Sequence, residues 1–132
     1  MRLLLMALMV SILSGCVGVH YQYGDIKPKD NEIAKLRKSP ENSMWTPLLA
    51  DYIELENKPS KWKTVGDEWI GYPVGMNMLP GKYRIRFKCS SASNYAFPYA
   101  DVHAEAGKTY TARCFKAAND MVGVEIKESP KT

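Results

Sequence analysis

The sequence predicts an all-β protein, a small antiparallel β-sandwich or open barrel that follows a signal peptide and an amino-terminal tether. Residues 83–90 alternate between apolar and polar side chains through four periods, the pattern of an antiparallel strand with one buried face. Similar short segments recur between turns rich in Gly, Pro and Asn. Hydrophobic residues make up 45% of the chain, with three Trp and eight Tyr, which is typical of a packed core.

The first fifteen residues are organised as a secretory signal peptide. Arg2 supplies a positive charge, residues 3–13 are an almost wholly apolar run, and the small residues Ser14 and Gly15 follow. A membrane-spanning helix needs about 20 apolar residues, so this run is too short to cross a bilayer.

The tetrapeptide Leu13-Ser14-Gly15-Cys16 resembles the lipobox of bacterial lipoprotein precursors. The resemblance implies cleavage after Gly15, a diacylglyceryl group on the Cys16 sulfur and acylation of the new amino terminus. Two or more acyl chains anchor a protein stably, whereas one gives only marginal binding. Val17 stands where an aspartate would imply inner-membrane retention, so the resemblance implies the periplasmic face of the outer membrane. The alternatives are the inner membrane and a plain secreted protein.

Residues 16–44 are expected to form a lipidated tether, and residues 45–132 the β domain. Within the tether, residues 31–38 allow one short helix, with Asn31 as its N-cap, basic residues in its last turn and Pro40 as its end.

The pattern of the β domain predicts strands at 48–56, 68–74, 83–90, 99–105, 109–116 and 121–127. We expect Ile53 and Leu55 to share one face, and Pro73 to mark an edge strand or a bulge.

In the carboxyl half, Leu79-Pro80-Gly81-Lys82-Tyr83 precedes one strand and Glu105-Ala106-Gly107-Lys108-Thr109-Tyr110 precedes another. This order resembles a recurrent module of small bacterial lipoproteins of unassigned function. The resemblance implies a compact antiparallel sandwich without enzymatic activity.

The cysteines indicate one disulfide. If Cys16 carries lipid, Cys89 and Cys114 remain, an even number in an oxidising compartment. Each is in phase with apolar residues of its predicted strand, Phe87 and Ala112. The alternative, a reactive thiol, needs a neighbour that lowers its pKa, and none is evident.

Two groups of residues are candidate contact surfaces. The first is a basic ridge on the outer face of the 83–90 strand, formed by Lys82, Arg84, Arg86 and Lys88. Its charges either remain solvated and prevent the sheet from pairing edge to edge with another chain, or they contact anionic envelope surfaces. The second is an aromatic group formed by Trp62, Trp69 and Tyr72. It is either core or an exposed platform for a sugar ring or a partner's apolar patch.

Asp101, His103 and Glu105 alternate along one strand. Consecutive same-face residues of a strand stand about 6.6 Å apart, so we expect a solvated face and no metal site. The sequence has no G-x-S-x-G or H-E-x-x-H motif, and we expect no catalytic residues and no cofactor.

The net charge of +4 is too mild to indicate nucleic-acid binding. The leading hypothesis is a lipid-anchored periplasmic binding or structural module that contacts the membrane and an envelope protein or glycan. The alternative is an accessory subunit that docks onto an envelope machine through residues 17–47 or the aromatic group. An enzyme is the third hypothesis.

Overall fold

Two β-sheets pack face to face in the computed structural model, which describes residues 18–41, 44–56 and 60–130. The fold-class prediction is confirmed. The signal peptide and the Leu13-Ser14-Gly15-Cys16 motif lie outside the described residues. The described residues form ten strands: β1 (Val19–Tyr21), β2 (Ala34–Lys38), β3 (Thr46–Glu54), β4 (Lys63–Thr64), β5 (Gly75–Met78), β6 (Gly81–Ser90), β7 (Tyr95–Ala96), β8 (Tyr99–Ala104), β9 (Thr109–Lys116) and β10 (Val122–Glu128).

The first sheet has the strand order β1-β5-β2-β9-β10. Its β1–β5 and β2–β9 pairs are parallel, whereas its other pairs are antiparallel. The second sheet is antiparallel, with the order β4-β3-β6, and both β7 and β8 pair with β6. The predicted antiparallel sandwich is therefore mixed in its first sheet. Among the described residues, no helix is long and apolar enough to cross a membrane.

The core lies between the sheets and is built mainly by the alternating faces of β6 and β9. Ile85 and Phe87 of β6 are buried, as are Tyr110 and Ala112 of β9. A disulfide between Cys89 and Cys114 joins the two sheets within this core. The predicted pairing and the predicted inward phase of both strands are confirmed.

The prediction that residues 16–44 form a tether, with a helix allowed at 31–38, is wrong over much of that range. A 3₁₀ turn covers Asp30–Glu32, and β2 then lies in the middle of the first sheet with Ala34 and Leu36 buried. The alternation of Ala34 and Leu36 with basic residues fits a strand as well as a helix turn. The strand is favoured because β5 and β9 flank it and hydrogen bond to both of its edges.

Two strand predictions need correction in the middle of the chain. Residues 68–74 are not a strand, because the Asp67 carboxylate accepts hydrogen bonds from the backbone N–H groups of Trp69 and Ile70 and closes a turn. In β3, a β-bulge between Leu49 and Asp51 reverses the expected phase. Tyr52 is therefore buried, whereas Leu55 is exposed.

The register of the strands defines the two ends of the sandwich. Val19 pairs with Gly75 at the start of β5. A two-residue turn after β5 leads into β6, which runs back in the opposite direction. Ser90, the last residue of β6, therefore lies at the same end of the sandwich as Val19. Ser90 pairs with Thr46 and with Tyr95. We call this the amino-terminal end. The described segments that connect strands at this end are residues 39–41 and 44–45, 72–74, 91–98 with β7 inside it, and 117–121.

Candidate functional site

Strand β6 directs the basic ridge to the outer face of the second sheet, as predicted, but carboxylates stand directly opposite two of its members. Arg84 pairs in register with Asp101, and its Nε and Nη2 donate to the two carboxylate oxygens at 2.8 and 3.1 Å. Arg86 faces Asp51 in the same way, with its Nε donating to Oδ1 at 2.8 Å and its Nη2 contacting Oδ2. The hydrogen bonds from Arg84 lower the pKa of the Asp101 carboxyl.

The two lysines of the ridge have different surroundings. The Lys82 ammonium lies 3.7 Å from the Glu56 carboxylate. The Lys88 ammonium lies 4.5 Å from the centre of the Tyr72 ring and 5.0 Å from the centre of the Tyr95 ring. Among the described residues, Lys88 is the one cation of the ridge without an ion pair to a carboxylate.

Aromatic rings cover the arginines as well. The Arg86 guanidinium carbon lies 5.6 Å from the centre of the Trp62 ring, and that of Arg84 lies 5.1 Å from the centre of the Tyr99 ring. The basic ridge and part of the predicted aromatic group therefore form one surface. We call it the cation–aromatic face, and its members are Trp62, Tyr72, Arg84, Arg86, Lys88, Tyr95 and Tyr99.

The structure does not place the tryptophans of the aromatic group in the core. Trp62 is 47% exposed on the cation–aromatic face, and Tyr72 is half-buried beside Lys88. Trp69 is 95% exposed on the turn that Asp67 closes. The core alternative is therefore wrong for both Trp62 and Trp69.

A groove of about 790 Å³ adjoins the face at the amino-terminal end. Its walls are mainly aromatic and aliphatic: Trp45, Tyr95, Phe97, Pro98, Tyr99, Met121 and Val122, with Asn94, Ala96, Lys116 and Asp120 beside them. Sequence reasoning missed Tyr95 and Phe97 because they directly follow the polar loop 91–94 and precede the predicted strand at 99–105. The spacing of Tyr95, Phe97 and Tyr99, every second residue into β8, is the signal that could have found them.

The acidic strand face forms ion pairs. Asp101 binds Arg84, and Glu105 contacts Lys108, which lowers the pKa of the Glu105 carboxyl. His103 lies between them on the exposed side of β8. Within residues 18–41, 44–56 and 60–130, no group of three potential ligands could hold a metal ion.

Comparison of the chain with protein-family models, with curated proteins and with solved structures found no match. The function proposed below therefore depends on the contacts of the chain's own residues.

Proposed function

We propose that the protein is a lipid-anchored envelope protein on the periplasmic face of the outer membrane, where it acts as a non-enzymatic binding module. The lipobox motif ending at Cys16 supports the anchor. The cation–aromatic face supports the binding role, because it combines large rings, hydrogen-bond donors and partial exposure.

The observation that carries the proposal is the fixed position of the rings on this face. Trp62, Tyr72, Tyr95 and Tyr99 each lie within 6 Å of a guanidinium or ammonium group. Contact with a cation restricts the rotamers of a ring before any ligand binds. Less conformational entropy is then lost when the ligand binds. Tyrosine and tryptophan also offer large contact areas at low entropic cost. A sugar ring or the apolar patch of a partner protein suits such a surface.

The charges favour ring contacts over a purely electrostatic interaction. Carboxylates oppose Lys82, Arg84 and Arg86, so the net positive charge of the ridge is small. Lys88 remains available to an acidic group of a ligand beside the rings of Tyr72 and Tyr95. A glycan or a protein is therefore favoured over a generally anionic surface.

The second candidate function is an accessory subunit that docks onto an envelope machine. Buried tryptophans would favour a self-contained module, whereas Trp69 is 95% exposed on a turn held by two hydrogen bonds to Asp67. Exposed tryptophans are enriched at the centres of protein interfaces, which favours a protein partner for this turn.

Labelling with a radioactive fatty acid tests the anchor. We expect the full chain to incorporate label and Cys16→Ala to incorporate none. Label retained by the Cys16→Ala variant would show that the lipobox assignment is wrong.

Paired binding assays test the face. Trp62→Ala combined with Tyr99→Ala removes two exposed rings, and Tyr21→Ala, an exposed tyrosine of β1, is the matched control. We expect the double variant to lose at least about tenfold in affinity, or about 1.4 kcal/mol. Sedimentation with purified cell-wall sacculi measures glycan binding. Co-purification from detergent-solubilised membranes measures protein binding.

The two assays separate the candidates. A selective loss in sedimentation supports the glycan module, and a selective loss of one stoichiometric protein supports the accessory subunit. Equal behaviour of the double variant, the control and the unmodified chain in both assays would exclude the cation–aromatic face as the contact.

A further inference from the structure

We propose that the amino-terminal end of the sandwich lies against the lipid bilayer, with apolar side chains of its connections inserted among the headgroups. This inference rests on the lipid anchor proposed above. It goes beyond that anchor because it assigns the membrane-facing surface of the folded domain.

The first argument is the length of chain between the anchor and the fold. Strand β1 begins at Val19, three residues after Cys16. A fully extended chain spans at most about 3.6 Å per residue, so the Cys16 and Val19 Cα atoms can be no more than about 11 Å apart. An acylated Cys16 would therefore hold the amino-terminal end at the membrane surface.

The second argument is the convergence of exposed apolar side chains at this end. Met44 is 85% exposed and Met121 is 65% exposed, although both are large hydrophobic residues. Met44 lies two residues before β3 and Met121 directly precedes β10, and the other two segments at this end contribute further exposed residues: Val74, Tyr95 and Phe97. Apolar patches gathered from separate loops mark interaction surfaces.

The third argument is the chemistry of these residues. Tyr95 and Phe97 have their ring centres 5.7 Å apart, and both line the groove together with Met121. Tyrosine and tryptophan are enriched where proteins meet the headgroup region, and apolar neighbours bind there in proportion to their buried area. A bilayer surface therefore fits this end.

The opposite end differs in character. Among the described residues it carries five ion pairs, which join Lys35 to Asp30, Lys63 to Glu54, Lys82 to Glu56, and Lys108 to Glu105 and Glu128. Ion pairs of this kind remain solvated, so this end is suited to water. The described residues of the amino-terminal end carry fewer ion pairs, which join Glu41 to Arg113 and Lys116 to Asp120. Ile26, in the connection from β1 to β2, is 64% exposed and offers a control matched to Met121.

The test uses the lipidated full chain, reconstituted into phosphatidylcholine vesicles with and without phosphatidylglycerol. Met121→Cys, Met44→Cys and Ile26→Cys each receive a polarity-sensitive thiol fluorophore. We expect a blue shift and quenching by nitroxide-labelled lipid at positions 121 and 44, and neither effect at position 26. Two positions at the amino-terminal end, 121 and 44, are labelled so that a folding defect in one variant does not decide the result.

The unmodified chain serves as a control for the anchor. With Cys16 acylated and Cys89 bonded to Cys114, it should take up no fluorophore. Labelling of Cys16 would overturn both the anchor and the present inference. If the unmodified chain takes up no fluorophore but the fluorophores at positions 121, 44 and 26 are equally exposed to water, the anchor would stand and the proposed orientation would be overturned. Shielding at position 121 that increases with the protein-to-lipid ratio would assign this end to a second copy of the chain and would also overturn it.

Discussion

Cys89 and Cys114 contribute to stability both as a crosslink and as core side chains. Both are fully buried, and their bond joins β6 of one sheet to β9 of the other across 25 residues of chain. We expect Cys89→Ala and Cys114→Ala each to lower the free energy of unfolding by about 2–4 kcal/mol. The double variant should be little worse than either single one, because the crosslink is lost only once. Urea denaturation measures these differences, and a strongly additive double variant would contradict the shared cause.

Tyr83 makes the stability of the protein sensitive to alkaline pH. Its hydroxyl donates a hydrogen bond to the Leu79 carbonyl oxygen at 2.6 Å, and burial raises the pKa of the phenol, as do Glu54 and Tyr52 to a smaller extent. Below about pH 10, the ordinary pKa of tyrosine, the phenol is protonated in both the folded and unfolded states. Above that pH the unfolded chain loses the proton first, so the free energy of unfolding falls as the pH rises.

Denaturation at several alkaline pH values checks this expectation. In Tyr83→Phe, the free energy of unfolding should fall less steeply with pH above about pH 10. At neutral pH this variant should be less stable, because it lacks the hydrogen bond to the Leu79 carbonyl oxygen. Tyr99→Phe, at an exposed tyrosine, is the control and should keep the decline of the unmodified chain. An unchanged slope in Tyr83→Phe would mean that another group titrates.

At the scale of elements, β2 determines which part of the chain folds alone. It is the central strand of the first sheet, and Leu36 is buried between β5 and β9. A chain that starts at Trp45 lacks β2 and exposes the facing edges of both neighbours. We expect it to lose cooperative unfolding, whereas a chain that starts at Gly18 should retain it. Calorimetry distinguishes the two, and a cooperative transition in the shorter chain would show that β2 is dispensable.

The strands of the carboxyl half could be predicted because each carries its own pattern. The strict alternation in β6, and the phases of Val102 in β8 and Tyr110 in β9, follow from side chains that face either core or water. Strand β5 has no such pattern, because all four of its residues are buried, including Asn77. Asn77 is accommodated by a hydrogen bond from Arg37 of β2 at 2.7 Å. This partner is 40 residues away in sequence, and no local pattern indicates it.

The candidate site was predictable only in parts. The outward direction of Arg84, Arg86 and Lys88 follows from the β6 alternation. The carboxylate opposite Arg86 does not, because it depends on the bulge that shifts the β3 register by one residue. The contact of Trp62 with Arg86 likewise depends on the path of the chain after β3, a segment without a strand pattern.

At the scale of the whole molecule, the first sheet joins distant parts of the chain. The parallel pair of β2 and β9 brings residues 35–38 beside residues 109–112. The sheet therefore cannot be completed until β9 is available, which makes the fold dependent on long-range contacts and slower to form than local hairpins.

With the proposed anchor, the start of β1 at Val19 would also determine how far from the membrane the protein can act. A flexible tether over residues 16–44 would have given the domain a root-mean-square reach of about 30 Å. With the proposed anchor at Cys16 and β1 beginning at once, that reach is absent. Strand β6, the longest among the described residues, has ten residues and rises about 33 Å, so an anchored domain would act only within about its own height of the bilayer. Under the proposed anchor, a partner would have to approach the membrane surface to be bound, because the domain could not extend further into the periplasm.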